Sequence, residues 1–295
     1  MRHSKDVAVF NIISYLFIVI IALLALVPFV LLVSSSMQSE PTILKFGFSL
    51  VPREISGEAY KYIFLYPDKI FRAYGVTLFI TVAGTVVSLF LSSMASYVLY
   101  RKDVKYRNGL AFFLYFTTLF NGGLVPYYIL MVRYLQLKDS LLALILPGMF
   151  NVMYILIIRS FMTSSVPDSL PESAKIDGAN DFRIFISIVL PIMKPALASI
   201  GLFTALNYWN DWWSAMMFID KESRMPLQYV LYTLLSKATF AAELISRAGG
   251  PINLSMPKES LKLAMTVVAT GPIIFLYPFV QKYFVKGITL GAVKG

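Results

Sequence analysis

Pro167-Asp-Ser-Leu-Pro-Glu-Ser-Ala-Lys-Ile-Asp-Gly-Ala-Asn-Asp-Phe-Arg-Ile-Phe-Ile-Ser-Ile-Val-Leu-Pro-Ile-Met-Lys-Pro-Ala-Leu-Ala198 is a short polar device set between two long apolar segments. Ser169 followed three residues later by Glu172 has the spacing of a capping box, in which hydroxyl and carboxylate satisfy the free N–H groups of a helix start. Gly178, two turns on, suits the left-handed position that ends a helix, and Asn180 or Asp181 can cap a second helix running into the apolar residues beyond. The expected unit is helix, sharp turn, helix. Local signals alone make it a surface connector between two membrane helices.

The flanks explain why membrane helices are expected. Of 295 residues, 58% are hydrophobic and only 14% charged, too apolar for an ordinary soluble domain and consistent with a polytopic membrane protein of one domain, residues 1–295. The net charge of +10 raises the question of nucleic acid. The bases cluster beside apolar runs, however, as the positive-inside rule requires, so the charge reads as orientation and no nucleic-acid partner is expected. There is no cysteine and one histidine, His3, so neither a disulfide framework nor a metal site is expected.

Six spans are predicted, near residues 12–33, 74–100, 108–132, 141–158, 184–206 and 263–284. The first, Ile12 to Val33, is uncharged and as a helix covers about 33 Å, one hydrocarbon core. Arg2 and Lys5 before it and Ser34-Ser35-Ser36 after it also fit a signal peptide, but the run is too long for an h-region. Ser39 to Arg72 is expected outside the bilayer, with short interfacial helices. The second span is rich in Gly84, Ser88, Ser92, Ser93, Ala95 and Ser96, small residues that let helices approach. Arg101 to Arg107, the densest basic cluster, belongs in the cytoplasm. The third span should break at Asn121-Gly122-Gly123 and Pro126, and the fourth at Pro147-Gly148. The polar device lies in an inner loop, residues 159–183, and the fifth span carries Pro191, Lys194 and Pro195. Asn207 to Lys262 returns outside. There Leu227, Val230, Leu231, Leu234 and Leu235 predict an amphipathic surface helix ended by Lys237. Six spans put both termini on one side of a cytoplasmic membrane, and the denser Lys and Arg of the inner segments make that side the cytoplasm.

The predicted spans hold no Asp, Glu or His; their only bases are Lys194, set between the two prolines of the fifth, and Lys282, near the end of the sixth. Ion-coupled carriers generally need an intramembrane ionisable group, so energy should enter from outside the bilayer. The chain also lacks a Gly-x-x-x-x-Gly-Lys-Ser/Thr loop to cradle nucleotide phosphates, which points to an ATPase on another chain and to no enzyme activity here. A stand-alone channel or secondary carrier is the competing class.

Glu172-Ser173-Ala174, Gly178 four residues on and Ile188-x-Leu190-Pro191 resemble the EAA loop of ABC importer permeases, with Ser173 in place of the usual first Ala. Asp177-Gly178-Ala179 through Leu190-Pro191 and Pro195 resembles the carbohydrate-uptake, maltose-permease-like branch, as do Phe120 to Pro126, the Trp209-Asn210 pair and the tail Tyr283 to Gly295. The resemblance implies an all-α fold with six transmembrane helices, the type I ABC importer permease fold. It implies that Leu170, Glu172, Ser173, Ala174, Asp177, Gly178 and Ala179 form a cytoplasmic coupling helix docked on an ATPase. Glu172 is expected to touch the partner or to cap its own helix. Implied partners are a second homologous permease, two ATP-binding subunits that carry ATP and Mg, and an extracytoplasmic solute-binding protein; the chain itself binds no cofactor. The implied cargo is an oligosaccharide, with alginate-type uronate polymers among those of the complex-oligosaccharide subfamily. An ABC permease for phosphate, amino acids or peptides would keep the mechanism and change the cargo.

Sugars are held by aromatic faces on their C–H surfaces and by amides and hydroxyls on their hydroxyl groups. Residues with that chemistry are Asn151 and Tyr154 in the fourth span, Tyr127 and Tyr128 near the third-span break, and Asn207, Tyr208, Trp209, Asn210 and Asp211 after the fifth. An aromatic belt at the outer interface accounts for the same residues and is the favoured account from sequence, with the Trp209-Asn210 resemblance counting for the sugar reading.

Overall fold

The structure is a computed structural model that describes residues 5–247 and 258–274, with Pro278 and Gln281, and the elements among these residues are helices and turns, with no strand. The uncharged first run forms α1, Lys5–Ser36. Two short helices occupy the polar stretch after it, α2 (Glu40–Phe46) and α3 (Glu58–Ile63). α4 spans Pro67–Tyr100 and so starts before the predicted Tyr74. Proline needs no N–H partner in a first helical turn, and Asp68 beside it faces the positive end of the helix dipole.

The third predicted span is not one helix. α5 (Arg107–Thr117) stops, residues 118–123 carry no helix, and α6 (Leu124–Ile129) leads into a π turn, Leu130–Tyr134. The interruption falls where Asn121, Gly122 and Gly123 were expected to place it. Gly123 has φ +87°, and its N–H donates to Asn121 Oδ1 at 2.8 Å. In the fourth segment α7 (Leu142–Ile145) passes through a 3-10 turn, Leu146–Gly148, into α8 (Val152–Ser165) with a 47° bend. Pro147 has no N–H to continue the α ladder there.

α9 (Ser169–Ile176) and α10 (Asp181–Ile184) form the polar device. α10 continues through a π turn, Phe185–Val189, into α11 (Leu190–Ile192), and the chain then turns by 82° into α12 (Lys194–Asn210). The predicted fifth span is therefore two limbs, because Pro191 and Pro195 each remove a donor within one helical turn. α13 (Trp213–Phe218) is followed by α14 (Leu227–Arg247) and α15 (Glu259–Ile274). α14 does not end at Lys237. That residue lies on the exposed face, while Leu227, Val230, Leu231 and Ala238 form the buried stripe. α15 begins before the predicted Leu263; except for Pro278 and Gln281, the rest of the sixth span and the tail Tyr283 to Gly295 lie outside the described residues. By length and composition the described helices supply two spans, α1 and α4, or up to four if each bent pair is one crossing, against the six expected.

The chain divides into two compact units, Met1–Pro67 with Leu231–Gly271 and Asp68–Val230 with Pro272–Gly295. In the first, Ser34, Ser35 and Ser36 are buried. Ser34 Oγ donates to Ser49 O at 2.8 Å and Ser36 Oγ bonds Tyr60 Oη at 2.7 Å, so this serine run is built into the fold. Glu40 is buried, and its carboxylate accepts from the N–H groups of Glu259 and Ser260 and from Ser260 Oγ, each at 2.9 Å. A carboxylate at a helix start satisfies free donors and meets the positive end of the dipole. In the second unit, Tyr97 and Tyr100 of α4, Ile158 and Met162 of α8, and Ile184, Phe185, Val189 and Met193 share one core. Ser96 Oγ donates across it to Ile155 O at 2.7 Å, in keeping with a packing role for the α4 serines.

Glu40→Ala strips three donors of their shared acceptor and is expected to cost about 1–3 kcal/mol. The measurement is the unfolding midpoint in detergent, where Glu40→Gln, which keeps one acceptor oxygen, should fall between parent and Ala.

Candidate functional site

The polar device is shaped by its own backbone. α9 starts at Ser169 with Asp168 as its N-cap, and no side chain caps it, so the expected Ser169–Glu172 capping box does not form. Ser169 lies one residue too far along the helix, and the Asp168 carboxylate is engaged elsewhere by Tyr100 and Lys102. The far end matches expectation. Gly178 has φ +80°, its N–H donates to Lys175 O at 3.1 Å, and the N–H of Ala179 reaches back to Ala174 O at 2.9 Å. Those two bonds define a Schellman turn. Asn180 Oδ1 then accepts from Arg183 N–H at 2.9 Å and starts α10. Ala174 and Ala179 pack toward the core, while Leu170, Glu172, Ser173 and Asp177 are exposed. Beside them stand three exposed apolar side chains, Leu170, Phe182 and Ile176, the last 87% exposed. Ile176 and Phe182 had not been singled out in the sequence, although large apolar residues in an otherwise polar segment were a readable signal.

The basic loop after α4 holds this device. Arg101 Nε donates to Asp103 Oδ1 at 2.8 Å and its guanidinium also pairs with Asp181. Lys175 Nζ lies 3.0 Å from Asp103 Oδ2, and Lys102 pairs with Asp168. Tyr100 Oη has one proton to share between Val166 O at 3.1 Å and Asp168 Oδ1 at 3.2 Å. Both short helices are thus tied to the end of α4, around a cavity of about 220 Å³ bordered by Glu172. Hydrogen bonds from Arg101 and then Lys175 hold the Asp103 carboxyl well below the usual carboxylate range, and the bond from Lys102 lowers Asp168 in the same way. Exposed pairs of this kind add little stability one by one; their effect is to fix placement.

A second concavity, about 510 Å³, lies at the other end of the same unit, lined by Asn151, Tyr154, Asn207, Tyr208, Asn210 and Asp211 among others. Asn151 Oδ1 caps α8 by accepting from Tyr154 N–H at 3.2 Å, and Asn207 Nδ2 donates to Tyr154 Oη at 3.2 Å. Gln228 Nε2 donates to Asn210 Oδ1 at 3.2 Å, and Asp211 Oδ1 accepts from Ser214 N–H at 3.0 Å. Six of the nine predicted cargo residues, Asn151, Tyr154, Asn207, Tyr208, Asn210 and Asp211, therefore meet in one cleft. The other three do not join them. Trp209 is buried, because its position on α12 points away from the opening. Tyr127 and Tyr128 pack against Phe218, with ring centroids 5.7 and 5.9 Å away, and Tyr127 borders a separate hollow beside Gly122 and Pro126.

Gly178→Ala should cost about 1 kcal/mol from backbone strain alone, since a Cβ there meets nothing within 4 Å; the reading is faster amide exchange across residues 169–184 with the spans unchanged. The Asp103 pairing has a pH signature. Because its folded pKa is depressed, its contribution is complete above the ordinary carboxylate value and is lost progressively as pH falls below about 4. Asp103→Asn should loosen the same segment at neutral pH, and the difference from the parent should shrink on acidification.

No family profile matches the chain. The polygalacturonan/rhamnogalacturonan transport system permease protein YtcP of Bacillus subtilis (strain 168) is 40% identical over 286 residues, 97% of this chain and 98% of that protein. The arabinooligosaccharides transport system permease protein AraQ of the same organism is 29% identical over 303 residues, covering 100% of both. A crystal structure of a bacterial ABC transporter involved in the import of the acidic polysaccharide alginate contains a chain that superposes with a TM-score of 0.75 at 31% identity, covering 96% of this chain and 99% of that one. With a relative 40% identical along nearly its whole length, the chain belongs to the sugar ABC transporter permeases, the non-catalytic membrane subunits of ABC importers.

Proposed function

We propose that this subunit moves an acidic oligosaccharide across the cytoplasmic membrane by alternating access, driven by ATP and Mg bound on two separate ATPase subunits. A second, homologous permease completes the pathway, an extracytoplasmic solute-binding protein delivers the cargo, and both termini face the cytoplasm. The observation that carries the coupling role is the exposed apolar set Leu170, Ile176 and Phe182 on a turn whose angle is held by Gly178 and by the ion pairs to α4. Apolar side chains raised on a rigid polar support suit insertion into a cleft of a partner. Closure of the ATPases displaces α9, the displacement passes through α10 and α11 to α12, and the cleft at its far end changes access.

The cargo class rests on the names of two relatives, which concern polygalacturonan or rhamnogalacturonan and alginate. In the cleft, Asn151, Tyr154, Asn207 and Asn210 offer amides and a phenol to sugar hydroxyls. Among the described residues no Lys or Arg lines it, so a uronate charge is met by the second permease or by water.

The test is the importer reconstituted in liposomes with its ATPases and binding protein and supplied with a galacturonate trisaccharide or an alginate trisaccharide. Uptake of either is expected to need ATP and every subunit. Gly178→Asp should abolish uptake while the chain remains inserted, and Asn207→Ala should raise the half-saturating concentration about tenfold, the effect of losing one or two polar contacts. Uptake by this chain alone, or normal cargo-stimulated ATP turnover in Gly178→Asp, would overturn the coupling role.

A further inference from the structure

Tyr208 is bound into the molecule more tightly than its place on a cleft wall requires. Only 4% of its surface is exposed, and its hydroxyl donates to Ile145 O at 2.7 Å. That carbonyl sits at the break of the fourth span. Met149, whose N–H would reach Ile145 in a continuous α-helix, donates to Leu146 instead, and Pro147 has no N–H to give. The phenol therefore supplies a donor at the point where the ladder has failed. Its ring is wedged between two glycines from different segments. A Cβ on Gly84 of α4 would lie 2.5 Å from the ring, and one on Gly148 of the 3-10 turn 2.7 Å from it. Both distances are impossible contacts, so the absence of side chains at these two positions is what admits the ring.

Tyr208 lies on α12, the helix that follows the 82° turn after α9, α10 and α11. Asn151 and Tyr154 lie just beyond the 47° break whose carbonyl it holds. We propose that Tyr208 is a positioning residue that links α12 to the break in the fourth span, so that displacement of α12 re-aims the cleft wall carrying Asn151 and Tyr154. This rests on the transport reading above. Tilting α12 without the hydroxyl leaves Ile145 O in an apolar surround with no fixed donor, and the two segments then move independently. With the hydroxyl in place, the break angle follows α12.

The experiment exploits the lack of native cysteine. Phe150→Cys puts one thiol on the cleft wall next to the break, and its reaction with a water-soluble maleimide is timed in the complete complex, nucleotide-free and trapped with ATP and vanadate. No sugar is needed, so the outcome does not depend on the cargo assignment. In the otherwise unaltered chain the rate should differ between the two states by about tenfold, and Tyr208→Phe, which keeps the ring and removes only the donor, should reduce the difference to less than about twofold. Co-purification of the ATPases and yield of vanadate trapping should stay at parental levels, which separates a positioning role from a folding defect. In uptake assays with galacturonate trisaccharide, Tyr208→Phe should lower the maximal rate and leave half-saturation within about twofold. A rate difference that survives in Tyr208→Phe overturns the proposal. So does a parental thiol whose rate is the same in both states, a result that holds even where Tyr208→Phe fails to assemble. Failure of the transport reading looks different: the thiol responds as expected while no uronate trisaccharide enters the liposomes.

Discussion

Inside an apolar segment a backbone carbonyl without its N–H partner has to find another donor, and this constraint organises the larger unit of the molecule. Pro147, Pro191 and Pro195 each remove a rung from a helical ladder. The chain answers differently at each place: a 3-10 turn and the Tyr208 hydroxyl near Pro147, a π turn ahead of Pro191, and an 82° change of direction at Pro195. Breaks that would destabilise a plain spanning rod thereby become joints at defined positions. One joint follows the polar device at the basic end of the unit and another borders the cleft, with α12 between them.

At the basic end the governing interaction is electrostatic and lies in water. Arg101 grips Asp103 and Asp181, Lys175 reaches Asp103, and Lys102 holds Asp168, so carboxylates from three places converge on one short loop. None of these exposed pairs adds much stability alone. Together they bar α9 and α10 from moving without the end of α4. The basic cluster at the end of α4 thus acts as mechanical bracing.

Much of this was legible in the residues. The left-handed Gly178 and the Asn180 cap are local, their bonds span only a few positions, and both formed as read. The capping box failed because Asp168, one residue before Ser169, took the N-cap position while long-range bonds to Tyr100 and Lys102 claimed its carboxylate. The fifth span failed as a straight helix for a related reason: hydropathy reports that residues 184–206 are apolar and is silent about direction, which the prolines determine. Asn151, Tyr154, Asn207 and Asn210 were grouped by chemistry and do meet. Trp209 was grouped with them by type, yet helical phase turns it inward. The bracing by Arg101 was invisible because Asp103 and Asp181 lie 2 and 80 residues away along the chain, and only the fold says that both are neighbours. Tyr208 was visible only as one aromatic among several, since the glycines that receive it belong to other segments.

The Schellman turn at Gly178 uses nothing beyond residues 174–183, and its glycine faces open space. Contacts of such short range close in the first microseconds available to a nascent chain, well before distant helices find one another. The bend at Gly178 is thus set during synthesis, before the ion pairs to α4 that fix its placement can close.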